Sequence, residues 1–475
     1  MNAILTMSTF IFPLITFPYV SRVLLEVGTG KVSFAASVIT YFNMFAQLGI
    51  PTYGIRACAR IRDDKEELSR TAHELLFINL IMSFASYILL AVGIIVIPKL
   101  QSEKTLLIIT SFTIVLSAIG MEWLFKAMEQ YTYITVRSII FKAIAVIAMF
   151  FLVKEQSDYV IYGGITIFAA SASNILNFIN AHRYISMKPV GKYDLKRHFK
   201  PVLIFFAMAC ATTIYTNLDV VMLGFMKTDG DVGYYNAAVR IKTILVSIVT
   251  SLGTVLLPRA SYYIEHNMMG EFRRITRKAL NFVFVAACSL TLYFILFARE
   301  GILFLAGDAF EGSVTPMQVI MPTLIFIGLT NILGIQMLVP LGREKIVLYS
   351  EIAGAVVDII LNAILIPHLA ATGAAIGTLV AEFAVLVVQY IALRTDIRSA
   401  LRKISYWKIA AALVLACAAC IWVKFMNFSY FVSLVISVVL FFAVYILFLY
   451  LVKESFTREI LVQITDKIHK IIKKA

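Results

Sequence analysis

Apolar residues run along this chain in blocks of about 20, separated by short segments rich in Lys and Arg. As a helix, a block of that length crosses roughly 30 Å of hydrocarbon. Fourteen spans are predicted, at 2–24, 33–55, 74–97, 105–126, 134–153, 158–182, 200–226, 232–256, 278–298, 314–338, 346–366, 373–393, 407–424 and 430–452. The fold class expected is therefore all-α and polytopic. The first span is irregular. Phe12 to Arg22 reads FPLITFPYVSR, which puts Pro13, Pro18 and a permanent cation into a run that should be uniformly apolar. Such irregularity survives at membrane depth where it faces protein or a water-filled cavity. Span 1 is thus expected to line a cavity, with Pro13 and Pro18 as hinges. No small-residue cleavage site follows it, so it reads as a retained anchor.

The basic residues set the orientation. Counted with the basic residues at the adjoining span ends, loops 2–3, 4–5, 6–7, 8–9, 10–11 and 12–13 and the C-terminal tail together hold 30 Lys and Arg, and the intervening loops hold 7. This strict alternation places both termini on the cytoplasmic side by the positive-inside rule. It also reinterprets the net charge of +14, which follows loops and not a nucleic-acid face. The composition agrees, with 60% hydrophobic residues, 15% charged and a mean hydropathy of +0.88, outside any soluble class. Cys417 and Cys420 form a C-x-x-C in mid-span without a second pair, and the five cysteines read as packing residues. Metal ligation is not expected.

Part of the chain repeats. Gly30-Lys31-Val32-Ser33-Phe34 opens span 2 and Gly230-Asp231-Val232-Gly233-Tyr234 opens span 8; Gln47-Leu48-Gly49 matches Ser251-Leu252-Gly253. The implied organisation is two six-helix lobes of like polarity, at 1–183 and 200–394, joined by a basic cytoplasmic linker at 184–199. Two extra helices follow at 395–452, then a basic tail at 453–475. Ile460, Ile464, Ile468 and Ile471 make that tail an amphipathic helix for the anionic inner leaflet, or a solvated tail.

Several stretches carry a resemblance: FPLITFPYVSRVL (12–24), LGIPTYGIR (48–56), GMEWLF (120–125), YITVRSIIFK (133–142), TNLDVVMLGF (216–225), SLGTVLLPR (251–259) and LGREK (341–345). In this order they resemble the O-antigen type polysaccharide flippases of the multidrug, oligosaccharidyl-lipid and polysaccharide exporter superfamily. The resemblance implies a V-shaped pair of lobes around a central cavity and transport by alternating access. Its substrate would be an undecaprenyl-diphosphate-linked oligosaccharide, moved from the inner to the outer leaflet of the bacterial cytoplasmic membrane. Membrane lipids, a polysaccharide polymerase and other assembly proteins are the implied partners, with no nucleic acid and no cofactor beyond a coupling H+ or Na+. The family departs from this chain in having Gly at the position of Leu25 and a longer segment ahead of Met1. A multidrug or metabolite extruder of the same superfamily is the alternative. An enzyme is not expected, since no bond is made or broken and the longest outer loop (about 299–313) carries no Ser/His/Asp set. A scaffold would not need ten charges inside its spans.

A diphosphate crossing an apolar core requires cations, and Arg forks suit phosphate oxygens best. Arg22, Lys142, Arg240 and Lys242 are the candidates. Arg22 either meets phosphate or snorkels to the interface. Lys142 and Lys242 have no acid at equal depth in their own hairpins, so each either pairs across the lobes or serves substrate. Asp219 and Arg240 lie equally far from the centre of their hairpin, as a structural pair or a gate. Glu122 and Arg137 do the same near the inner mouth and read as an ion pair. Asp358 and Glu382 flank position 370 symmetrically. Two carboxylates at one depth do not both ionise cheaply, which makes them ion-coupling candidates alongside Asp219. Asn174, Asn177 and Asn180 form a stripe for sugar hydroxyls or for bonds between helices.

Overall fold

The computed structural model describes residues 2–402, 404–454 and 456–458, and among these every regular element is helical. They form two compact units, Met1–Asn236 and Ala237–Ala475.

In the first unit, α1 (Asn2–Gln47) is followed by α2 (Ile50–Ala59), α3 (Lys65–Val96), α4 (Pro98–Ser102), α5 (Lys104–Gly120), α6 (Glu122–Ala127) and α7 (Tyr131–Leu152). Then come α8 (Tyr159–Ile167), a π-helical turn at Phe168–Ala172, α9 (Asn174–Asn180) and α10 (Lys196–Met226). Helix α1 packs against α3, α5, α7 and α10 and is the centre of the unit. It stays helical through Pro13 and Pro18 and breaks instead at Leu25 (φ 55, ψ −170). The side chain of Pro13 lies outside the described set. Leu25 thus lies in a backbone region that favours glycine, and a hinge at Pro13 and Pro18 stands as a proposal beside it. Leu48 (φ 44) and Gly49 (φ 74) make a second left-handed turn, after which Pro51 opens α2 without needing its missing N–H. Asp64 caps α3 by accepting from the Glu66 and Glu67 amides.

Helix α11 (Asp229–Glu265) starts in the first unit and continues into the second. There it is followed by α12 (Met269–Leu296), α13 (Ala298–Ala306), α14 (Val314–Ile320), α15 (Thr323–Thr330), α16 (Glu344–Leu401), α17 (Tyr406–Cys420) and α18 (Tyr430–Leu451). The α12–α18 core is aromatic. The Tyr293 hydroxyl lies 2.9 Å from Ser437 Oγ, Tyr445 donates to the Val285 carbonyl at 2.9 Å, and Phe441 packs on both rings. The C-x-x-C cysteines are free, and Cys420 Sγ donates to the Cys417 carbonyl at 3.5 Å.

Among the described residues ten helices are long and apolar enough to cross a membrane, or eleven if the pair Asp308–Ile320 and Thr323–Leu338, bent by 46°, is one span. The expected fourteen map onto fewer helices for a physical reason. Helix α1 runs through the first two expected spans with its break at Leu25, and α16 through spans 11 and 12 with a break at Ala370 (φ 48). Helix α5, at 17 residues, is shorter than a full span. Of the tail, Ile460, Ile464, Ile468 and Ile471 lie outside the described residues.

Candidate functional site

The break at Leu25 lets the second arm of α1 meet the start of α11. A Cβ on Gly30 would fall 1.7 Å from the Asp229 carbonyl oxygen, and one on Gly233 would fall 2.1 Å from that of Glu26. The two backbones touch, which only glycine permits. Asn236 donates to the Ser33 hydroxyl beside this crossing. Two ion pairs brace it: Lys31 Nζ lies 2.6 Å from Glu103, and Lys99 Nζ 2.5 Å from Asp229. Lys99 also sits 5.5 Å from the Phe34 ring centroid. Both glycines fall in the repeated segments that open spans 2 and 8.

The candidate residues of the first unit are dispersed over several helices. Asp219 is buried on α10 and accepts a hydrogen bond from the Tyr235 hydroxyl. Arg22 is exposed and donates from Nη1 to the Pro18 carbonyl at 2.6 Å. Lys142 is half-buried on α7. Arg137 and Glu122 are brought together at 3.4 Å, and the Arg137 guanidinium also donates to the Ser173 carbonyl (2.7 Å) and to Asn174 Oδ1 (3.2 Å). Glu122 is shared, since Lys126 Nζ lies 2.8 Å away. The asparagine stripe meets protein in this conformation: Asn174 serves Arg137, Asn177 is fully enclosed, and Asn180 is half-buried.

In the second unit, Arg240 and Lys242 are half-buried on α11. Asp358 and Glu382 are both buried on α16, on opposite sides of the Ala370 break. The arm after the break packs closely on the arm before it, because a Cβ on Gly377 would fall 2.2 Å from Asn362 Oδ1 and 3.2 Å from Asp358 Oδ1. No cluster of three or more His, Cys, Asp or Glu suited to a metal occurs among the described residues.

One polar network among the described residues lies outside the pattern of charges within spans. Glu74, 1% exposed near the start of α3, gathers the end of the basic linker. It accepts from the Asp194 amide (2.7 Å), from Arg197 Nε (2.8 Å) and Nη2 (2.5 Å), and from His198 Nε2 (2.7 Å). A carboxylate only accepts, so His198 Nε2 carries the proton, and its Nδ1 lies 2.8 Å from the Tyr53 hydroxyl. Arg197 reaches further, to Glu67 (2.7 Å) and Thr71 (3.0 Å). Glu74 stands on the boundary residue of span 3, and its partners follow more than 100 residues later, so charge counting within spans passes over it.

These features define a polytopic helical membrane protein whose spans hold paired and half-buried charges. The chain belongs to the polysaccharide biosynthesis protein family, whose profile matches residues 1–264. A curated protein of Escherichia coli (strain K12) named "Putative O-antigen transporter" is 24% identical over 388 residues, covering 80% of this chain and 92% of that one. Its namesake in Shigella dysenteriae is 24% identical over 387 residues, covering 79% and 94%. Among solved structures, the lipid II flippase MurJ in an inward closed conformation superposes with a TM-score of 0.76 at 17% identity, over 97% of this chain and 99% of that one. A multidrug resistance MATE transporter in an inward-facing conformation gives 0.61 at 14%, over 83% and 99%. The fold is shared with both.

Proposed function

We propose that this protein moves an undecaprenyl-diphosphate-linked oligosaccharide from the inner to the outer leaflet of the bacterial cytoplasmic membrane by alternating access. The observation that carries the reading is the family membership together with the O-antigen relatives, which align over 80% of the chain. The site chemistry fits, because moving a lipid headgroup needs charge compensation and no nucleophile. Arg22, Lys142, Arg240 and Lys242 bind the diphosphate. Asp219, Asp358 and Glu382 couple to H+ or Na+ or gate the path, and Asn180 is the stripe member best exposed to sugar. The lobes are 1–183 and 200–394, both termini are cytoplasmic, and a polymerase takes over the exported unit. Deleting the gene should abolish the surface polysaccharide and leave lipid-linked units on the inner leaflet. Unchanged surface polymer would overturn the reading.

The MATE likeness favours one second reading, a drug or metabolite extruder. It predicts altered resistance after deletion with the glycan intact.

A further inference from the structure

The second unit contains a pocket of about 350 Å³ between α12, α15, α16 and α17. That volume is within the range of small-ligand sites, about 300–1,000 Å³. Its walls are nearly all apolar and include Leu280, Phe284, Leu333, Ile397 and two tyrosines, Tyr390 and Tyr406. Both tyrosines are 45% exposed, and Phe284 meets Tyr406 edge-on at 5.3 Å. Exposed tyrosine on an otherwise apolar helical surface is what the membrane–water interface favours.

Two cations stand on the stripes that form the walls. On α16, Tyr390, Ile397 and Leu401 line the pocket at helical spacing, and Arg394 occupies the intervening position on the same face. On α12, Leu280 and Phe284 line it, and Arg277 precedes them by three and seven residues, again on that face. Arg394 is exposed and Arg277 half-buried. Both adjoin basic loops that the Lys and Arg count places inside, where anionic lipid headgroups concentrate.

We propose that this pocket binds an anionic diacyl phospholipid of the inner leaflet, with one acyl chain between α12 and α16 and the headgroup phosphate on Arg277 and Arg394. An apolar slot of this size takes part of one alkyl chain, and the guanidinium groups carried by two of its wall helices suit a phosphodiester. A polyprenyl chain is several times longer and is the competing occupant. The inference rests on the inward orientation of these loops and not on the identity of the transported glycan.

The test uses the full chain, delipidated in a neutral detergent. Melting midpoint and native mass spectrometry are followed as phosphatidylglycerol, phosphatidylcholine of the same chains, or polyprenyl phosphate is added. The variants are R277Q/R394Q, the pocket-filling L333W, and the control R274Q, whose guanidinium pairs with Glu271 at 2.6 Å. Phosphatidylglycerol should bind and raise the midpoint. R277Q/R394Q should weaken that binding about tenfold or more, L333W should reduce it, and R274Q should not. Equal response to phosphatidylcholine, undiminished binding in R277Q/R394Q, or binding of polyprenyl phosphate alone would each overturn the proposal. Lipid-free midpoints show which variants fold, and L333W reads the chain half of the site if the double variant does not.

Discussion

Replacing Glu74 with alanine should release the 184–199 linker from α3. The carboxylate is 1% exposed and accepts from one backbone amide, one guanidinium and one imidazole. Removing one partner of a buried charge network costs about 3–5 kcal/mol, because the remaining donors stay desolvated. Here Arg197 is 33% exposed and keeps its 2.7 Å contact with Glu67, which lowers the expected cost to about 2–4 kcal/mol. At about 2–4 °C per kcal/mol for a body of this size, the melting midpoint should fall by several degrees. Glu74→Gln should fall less, because its side-chain oxygen can still accept from Asp194 or His198. A double-mutant cycle with Arg197→Ala should show coupling of about 1–3 kcal/mol. The assay is thermal unfolding of the solubilised protein together with limited proteolysis of the linker. Unchanged midpoints and a linker cut no faster in Glu74→Ala would refute the reasoning.

Three further outcomes follow from the geometry. Leu25→Gly should hold or raise the melting midpoint, since a non-glycine residue in that backbone region costs about 1–3 kcal/mol, whereas Leu24→Gly, at a fully buried position, should lower it sharply. Gly30→Ala or Gly233→Ala should force α1 and α11 apart at a cost of about 1–3 kcal/mol and reduce export while leaving membrane insertion intact, as read by surface polymer and by membrane-fraction blots. Burial pushes the Glu454 carboxyl up, but the Thr457 and Phe456 amides and the Asn281 side chain stabilise its charge and hold it below the usual carboxylate range. The stability this gives is fully present above the unfolded value of about 4.3 and is lost as pH falls through the lower folded value. The midpoint of the wild type should therefore drop more steeply below pH 4.3 than that of Glu454→Gln.

The helices were legible because lipid demands unbroken apolar runs, and the hairpin centred on position 370 coincides with the break at Ala370. Leu25 was not, since an ordinary leucine gives no sign of a positive φ. Depth counting brought Glu122 and Arg137 to one level, where they lie 3.4 Å apart. It missed Tyr235 as a partner of Asp219, because a neutral hydroxyl does not enter a charge inventory. The ion pairs of Lys31 and Lys99 join loops that the chain separates by 72 and 130 residues, beyond any local pattern.

The central claim is that the half-buried Lys142, Arg240 and Lys242 and the exposed Arg22 carry a lipid diphosphate across the membrane. Its most direct test is reconstitution in proteoliposomes with a fluorescent lipid-linked oligosaccharide, scoring loss of outer-leaflet quenching over time. Wild type should move the label, and neutralising Arg22, Lys142, Arg240 and Lys242 one at a time should slow it while insertion and melting midpoint hold. Four variants that all flip at the wild-type rate would contradict the account.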